Sequence, residues 1–397
     1  MRLYRNLTEA VVDALHQIFV DQKYADKVIE KILKQNPKWG ARDRRFIAET
    51  TYDIVRWYRL FKFAVKTEDD NFWKLIGAWC LWQKETPPAW EEFYGLGARQ
   101  FEAALAQTET SIALRESIPD WLHELGLTEL KDAWEKEIHA LNEAASVVLR
   151  VNTLKITRKD LQRHLLQEES IETVAPNEFA DALLLEQRQN IFTRQAFKDG
   201  WFEVQDAGSQ AIAPYLKVEP GMRVIDACAG AGGKTLHLSA LMENRGRIIA
   251  MDTEGWKLEE LKKRARRAGA TNIETRVIES SKTIKRLANT ADRLLLDVPC
   301  SGLGILKRNP DAKWKLSLDF IKKVQESQQQ ILSSYSVMLK PGGKLVYATC
   351  SILPSENENQ VDRFLEEKKG VFERLEQRSI LPSQGFDGFF MALLEKK

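Results

Sequence analysis

The sequence predicts an α/β protein in three successive parts: an all-α N-terminal domain (1–140), a small α/β module (141–200), and a doubly wound domain with a largely parallel sheet (201–397). Three observations carry this. The first part repeats apolar residues at three- and four-residue steps, the spacing that puts one helix face on a core. The period turns extended at Val147–Val151. From about Trp201 short apolar runs alternate with helical segments, as crossovers between parallel strands require.

The N-terminal helices are expected over Thr8–Val20, Ala25–Gln35, Ala41–Phe61 and Asn71–Trp82, with a last one over Leu127–Asn142. Eight of the 11 tryptophans lie before residue 135, and Pro87-Pro88 and Pro119 punctuate the unit. In the small module, extended Val147–Val151 is followed by a helix over Ile156–Gln167 and by extended Ile171–Ala175, Ala182–Glu186 and Gly200–Asp206. The third part then reads strand Arg223–Ala229, a helix from Lys234, strand Arg247–Asp252, helix Gly255–Gly269, strand Thr275–Glu279, strand Arg293–Pro299, helix Leu318–Leu339 and strand Lys344–Cys350.

Composition narrows the class. The 397 residues are 44% hydrophobic and 29% charged, with 12 Pro and 21 Gly, which fits a folded chain and not a fibrous or disordered one. No run nears the roughly 18 apolar residues that span a bilayer, and acids interrupt the first apolar segment. The expectation is a cytoplasmic protein with no membrane partner. Four cysteines without a CxxC pair suggest neither a disulfide framework nor a metal site. A net charge of +2 means that any surface for a polyanion must be local.

Chemistry concentrates at strand ends, where ligands sit in doubly wound sheets. Asp226-Ala-Cys228-Ala229-Gly230-Ala231-Gly232-Gly233-Lys234-Thr235 leaves a strand and opens a helix, so the backbone can approach a ligand and the helix N-terminus favours an anion. A dinucleotide turn needs glycine where Thr235 stands, and a triphosphate loop needs glycine where Cys228 stands. Both fit in part, beside an S-adenosylmethionine turn. Asp252 closes the next strand and is either a ribose acceptor or a helix cap. Asp297-Val-Pro-Cys300 and Thr349-Cys350-Ser351 end two further strands. A cysteine is commonly just a small buried hydrophobe, but two at one sheet edge point to thiolate chemistry.

These motifs, with Arg308-Asn-Pro-Asp311, Lys313-Trp314, Glu356-Asn357-Glu358, Arg150-Val-Asn152, Val204-Gln205-Asp206, Ser209-Gln210 and Asp387-Gly388-Phe389-Phe390, resemble the Sun/Fmu-type (RsmB- and NSUN-related) RNA cytosine carbon-5 methyltransferases. The resemblance runs from about residue 147 to the end. The N-terminal part is similar to the region before this core in bacterial ribosomal RNA members, through Arg42-Asp-Arg44-Arg45 and Tyr52-Asp-Ile-Val-Arg56. The family's turn usually reads Cys-Ala-Ala-Pro-Gly-Gly-Lys, and the proline is absent here.

The resemblance implies a class I, Rossmann-like methyltransferase domain preceded by a small RNA-binding module and a helical RNA-recognition domain. It implies that Cys350 adds to carbon 6 of cytosine, that Asp297 bonds the N3 and N4 edge, and that Cys300 releases the product. S-adenosylmethionine would be held by Cys228, Ala229, Gly230, Ala231, Gly232, Gly233, Lys234, Asp252, Asp297 and, toward adenine, Glu279. Such chemistry needs a base out of its stack. The basic segment with Lys307, Arg308, Lys313 and Trp314, and the basic helix from Glu254 to Gly269, are the candidate RNA contacts, the aromatic residue favouring the first. The expected partner is RNA, ribosomal before transfer RNA, with no obligate protein partner; a P-loop hydrolase and a non-catalytic RNA-binding assembly factor are the readings from other classes.

Overall fold

In the computed structural model, which describes residues 3–67 and 70–397, the chain forms two compact units. One is Met1–Glu143 with Leu306–Ser317, the other Ala144–Ile305 with Leu318–Lys397. The segment 306–317, which the sequence reading placed in the third part, thus belongs to the helical unit.

The helical unit packs Val11, Leu15, Ile47, Ile54, Phe61, Leu75 and Ile76, all fully buried, into one core. Two helices predicted as continuous are broken. The run over Ala41–Phe61 divides into Ala41–Arg56 and Tyr58–Ala64. Trp57 sits between them at φ −104°, ψ 21°, where the hydroxyl of Ser117 accepts from the amides of Arg59 and Leu60 at 3.0 and 3.3 Å. A side chain distant in sequence thereby satisfies donors that the first turn of a helix leaves free. The last run divides into Asp120–Leu130 and Trp134–Leu141, with Lys131 at φ +51° between them. Trp134 folds back onto Gly126, where a Cβ would lie 2.3 Å from its ring.

The second unit holds two sheets. Strands β1 (Val148–Val151), β2 (Thr173–Val174), β3 (Ala182–Leu185) and β4 (Phe202–Val204) form an antiparallel sheet in the order β2-β3-β1-β4. Helix Arg158–Gln167 connects β1 to β2, and the short helix Gln195–Lys198 connects β3 to β4, a β-α-β-β-α-β arrangement. Strands β5 (Arg223–Asp226), β6 (Arg247–Asp252), β7 (Ile273–Val277), β8 (Ala291–Asp297), β9 (Leu339–Thr349), β10 (Phe372–Ile380) and β11 (Phe389–Lys396) form the second sheet, in the order β10-β11-β9-β8-β5-β6-β7. All neighbours are parallel except β11, which runs antiparallel to both β9 and β10. Ile225, Leu294, Leu296 and Tyr347 enter one core and Val224, Leu295, Val346 and Ala348 the other, as side chains that alternate across a sheet covered on both faces must.

The two sheets are tied by polar groups. Nδ2 of Asn152 donates to the carbonyls of Gly200 and Ala268 at 2.7 and 2.8 Å. Arg150, buried and with its pKa lowered to about 10 by that burial, donates to Gln205 and to the carbonyl of Gly233. The upstream motif that carried the resemblance therefore braces the glycine turn from behind. Among the described residues, no helix is long and apolar enough to cross a membrane.

Candidate active site

The parallel topology sets the ends of β5, β6, β8 and β9 side by side. After Asp226 the chain turns through Gly230 (φ +52°) and Gly232 (φ +87°) into helix Gly233–Leu241. At Gly232 an added Cβ would lie 2.5 Å from Cγ of Leu261, so glycine both permits the dihedral and lets the turn close on helix Gly255–Ala268. Asp226 is buried and accepts from the hydroxyl of Thr235 at 2.7 Å, while its Oδ1 has no partner. Burial pushes its pKa up to about 7.

Asp252 is both a turn acceptor and an open acceptor. Its Oδ2 takes the amide of Gly230 and its Oδ1 that of Glu254, each at 2.9 Å. Each carboxylate oxygen has about two acceptor sites, so one on each stays available to a pair of hydroxyls. Glu279 is exposed just beyond β7, next to Ile278, whose amide donates to the carbonyl of Asp252. Beside Gly230 there is open space. A ribose at Asp252 and a chain along the backbone from Cys228 to Gly233 suit these residues, so the donor set fits S-adenosylmethionine.

Lys234 reaches from the glycine turn to the end of β8. Its ammonium donates to Oδ2 of Asp297 at 2.6 Å and sits 5.5 Å from the Phe389 ring centre. Burial opposes its charge, but Asp297 and Cys350 more than offset this and its pKa is raised. The pair joins the glycine turn to the cysteines.

Because β8 and β9 are adjacent and in register (Asp297 opposite Ala348), Cys300 and Cys350 meet. Their Sγ atoms are 3.1 Å apart, and the Cys350 amide donates to the Cys300 sulfur at 3.3 Å. The hydrogen bond with Cys350, together with burial, pushes the Cys300 thiol well up. In this pair the Cys300 thiol is placed to donate a hydrogen bond toward the Cys350 sulfur. Cys228, in the glycine turn, is likewise pushed up by burial and by Asp226, Asp297 and Asp252.

Sequence reasoning missed what holds these loops. Glu356, fully buried, accepts from the Ser301 amide at 2.8 Å and Nε2 of Gln328 at 3.0 Å through Oε1, and from the hydroxyls of Ser301 and Ser351 through Oε2. The residues following both cysteines thus share one carboxylate. Asn357 accepts from the Thr349 hydroxyl and donates to the Ser351 carbonyl at 3.0 Å. The signal was present as Glu356-Asn357, but its use was not.

The basic residues expected at RNA are spent largely inside the protein. Lys313 is 1% exposed, with its pKa driven well down by burial and by Arg56. Lys307 is buried and pairs with Glu143 at 3.4 Å, and the indole of Trp314 donates to the Val55 carbonyl at 2.7 Å. Arg308 is half-buried. Of the N-terminal arginines, Arg42 and Arg45 are exposed, Arg44 donates to the Leu33 and Trp39 carbonyls at 2.9 Å each, and Arg56 is buried. On helix Gly255–Ala268, Arg264 and Arg267 bind Glu203, while Lys257, Lys262 and Lys263 pair with Glu254, Glu259 and Glu260. Among the described residues, no group of three or more His, Cys, Asp or Glu is placed to hold a metal ion.

Comparison with known proteins decides the family. The family described as 16S rRNA methyltransferase RsmB/F matches residues 213–395, and an RsmF/B-like, ferredoxin-like domain matches 118–192. The probable ribosomal RNA small subunit methyltransferase B of Synechocystis is 31% identical, covering 94% of this chain and 95% of its own length. The chain belongs to the RsmB/F methyltransferase family. A relative from Vibrio cholerae, ribosomal RNA small subunit methyltransferase B, is 35% identical over 75% of this chain and 70% of its own. The solved structure of PH0851 superposes with a TM-score of 0.83 at 25% identity, covering 100% of both chains. In an RsmB/F methyltransferase the seven-stranded sheet is the class I methyltransferase sheet, the β-α-β-β-α-β module is the ferredoxin-like domain, and the cofactor is S-adenosylmethionine. Membership in this family favours the adenosylmethionine turn over the dinucleotide and triphosphate readings.

Proposed function

We propose that the protein transfers a methyl group from S-adenosylmethionine to carbon 5 of a cytosine in small-subunit ribosomal RNA, through a covalent bond between Cys350 and carbon 6. The observation that carries this reading is the 3.1 Å approach of two cysteine sulfurs next to an aspartate–lysine pair. The relatives' names supply the RNA.

Carbon 5 of cytosine is a weak nucleophile, so electrons must first enter the ring. The Cys350 thiolate adds at carbon 6, and the carbon 5–carbon 6 π pair moves to carbon 5. Asp297 accepts from the N4 amino group, and the proton shared with Lys234 lies ready for the negative charge that grows at N3. The cofactor, when bound, supplies an electrophilic methyl group. Solvent water then takes the carbon-5 proton, the C–H bonding pair re-forms the carbon 5–carbon 6 double bond, and Cys350 departs with the carbon–sulfur pair as the thiolate. The Cys300 thiol, its sulfur 3.1 Å away, assists this release by donating its proton to the departing sulfur.

The two cysteines leave different traces. Cys350→Ala should abolish both methyl transfer and any denaturant-resistant protein–RNA adduct while cofactor binding survives. Cys300→Ala should accumulate the adduct in the presence of cofactor. An adduct in Cys350→Ala that vanishes in Cys300→Ala would make Cys300 the nucleophile and refute the assignment. For the helical domain we propose RNA recognition, with the exposed Arg42 and Arg45 at the surface; deletion of residues 1–140 should then lower RNA affinity and leave cofactor affinity intact.

A further inference from the structure

The segment Leu306–Ser317 begins six residues after Cys300 and is anchored in the helical unit. Arg56 is the main anchor. Its guanidinium donates to the carbonyls of Leu141, Leu306 and Lys307 at 3.3, 3.4 and 2.8 Å, three acceptors that suit the rigid fork of its donors. Trp314 bonds the Val55 carbonyl, the residue before Arg56. Asp311 accepts the Ala25 amide at 3.0 Å, at the start of helix Ala25–Gln35. Lys313 donates to Oδ1 of Asn142 at 3.2 Å, and Nδ2 of Asn142 donates to the carbonyl and carboxylate of Glu116 at 2.8 and 3.1 Å. Burying an arginine and a lysine together is costly, and a surface connection would require neither.

Followed back along the chain, the segment leads to the cysteines. The Gly304 amide donates to the Cys350 carbonyl at 2.9 Å, and its own carbonyl accepts from Gly388 at 2.7 Å. Only Ile305 separates this clamp from the carbonyl that Arg56 holds. Followed forward, the chain enters helix Leu318–Tyr335, where Nε2 of Gln328 donates at 3.0 Å to the carbonyl of Pro299, the residue before Cys300. Both ends of the segment therefore return to the Pro-Cys turn.

We infer that Arg56 is a positioning residue for the Cys300 turn: by holding the Leu306 and Lys307 carbonyls it fixes the path of the chain that leaves Cys300. The inference rests on the proposed function only in taking Cys300 as a member of the reacting pair. Reactive groups displaced by about 1 Å lose on the order of 100-fold in rate, so a turn released at one end loses rate without losing its ligands.

The test uses the full chain, radiolabelled S-adenosylmethionine, a small-subunit ribosomal RNA transcript, and mass-spectrometric rates of iodoacetamide alkylation at each cysteine without RNA. Arg56→Met should speed Cys300 alkylation at least fivefold relative to Cys80. It should lower kcat by 10- to 100-fold with both KM values within threefold, and raise the ratio of adduct to released product. Arg56→Lys should fall between. Trp314→Phe, which keeps the ring and removes the bond to Val55, should shift all three readouts the same way by less, and serves if Arg56→Met does not fold. Unchanged alkylation and kcat in these variants overturns the inference, as does a rise in RNA KM with kcat intact, which would make Arg56 an RNA contact. A wild-type chain that methylates no RNA overturns the proposed function, and the alkylation rates then still decide the role of Arg56.

Discussion

Replacing Glu356 in two ways separates its charge from its hydrogen-bonding pattern. Oε1 receives two donors that cannot reverse, the Ser301 amide and the Gln328 side-chain amide, while Oε2 receives two hydroxyls that can turn. In Glu356→Gln the amide oxygen can keep the first pair, and the new NH2 can donate to both serines. Each hydroxyl already accepts a backbone amide, from Leu303 and Leu353 respectively, and the two lie 3.3 Å apart. Both lone pairs of each hydroxyl are then filled, so two donors are left over, and the loss should be about 2 kcal/mol or more, at about 1–3 kcal/mol for each unmet buried donor. Glu356→Ala strands all four donors and opens a cavity, and should cost about 3–5 kcal/mol, as breaking a buried charged group's contacts does. Denaturant midpoints measure both, and adduct formation reports the cysteine pair: retained within about tenfold in Glu356→Gln, lost in Glu356→Ala. Equal destabilisation by the two substitutions, or a more stable alanine variant, would refute this hydrogen-bond accounting.

Asp252→Ala removes the proposed ribose acceptor and the acceptor of two backbone amides; calorimetry should show cofactor binding weakened by about 1–3 kcal/mol, and unchanged affinity would remove Asp252 from the site. Asp226 binds its proton more tightly in the folded chain, with a pKa near 7 against about 3.9 unfolded. Its contribution to stability is therefore full below pH 4 and lost as pH rises through 7, on the order of 4 kcal/mol in all. Asp226→Asn should be flatter than wild type between pH 5 and 8 in thermal unfolding, and parallel curves would show that Asp226 is not the group responsible. Gly304→Ala places a Cβ 2.2 Å from the Gly388 carbonyl and 2.8 Å from that of Cys350; backbone must move, so adduct formation should fall more than tenfold while cofactor affinity holds, which adduct assays and calorimetry would check together.

The sequence by itself determined the doubly wound domain, the small module before it and the positions of the glycine turn, Asp252, Cys300 and Cys350. These are local facts: apolar periodicity says which face of an element is buried, and ligand-bearing residues in such sheets sit within a few positions of strand ends. Tertiary structure decided the partners. The motif around Lys234 does not name its partner, and the structure pairs its ammonium with Asp297, 63 residues on. Lys307, Lys313 and Trp314 read as a basic, aromatic RNA surface, yet they turn into the helical unit. Arg56 reads as an RNA-binding cation, yet it caps the Lys307 carbonyl 251 residues away. The helix break at Trp57 depends in the same way on Ser117. A cation in a sequence states only its charge; whether that charge meets solvent, a carboxylate or a row of carbonyls depends on which distant backbone groups folding leaves unsatisfied beside it.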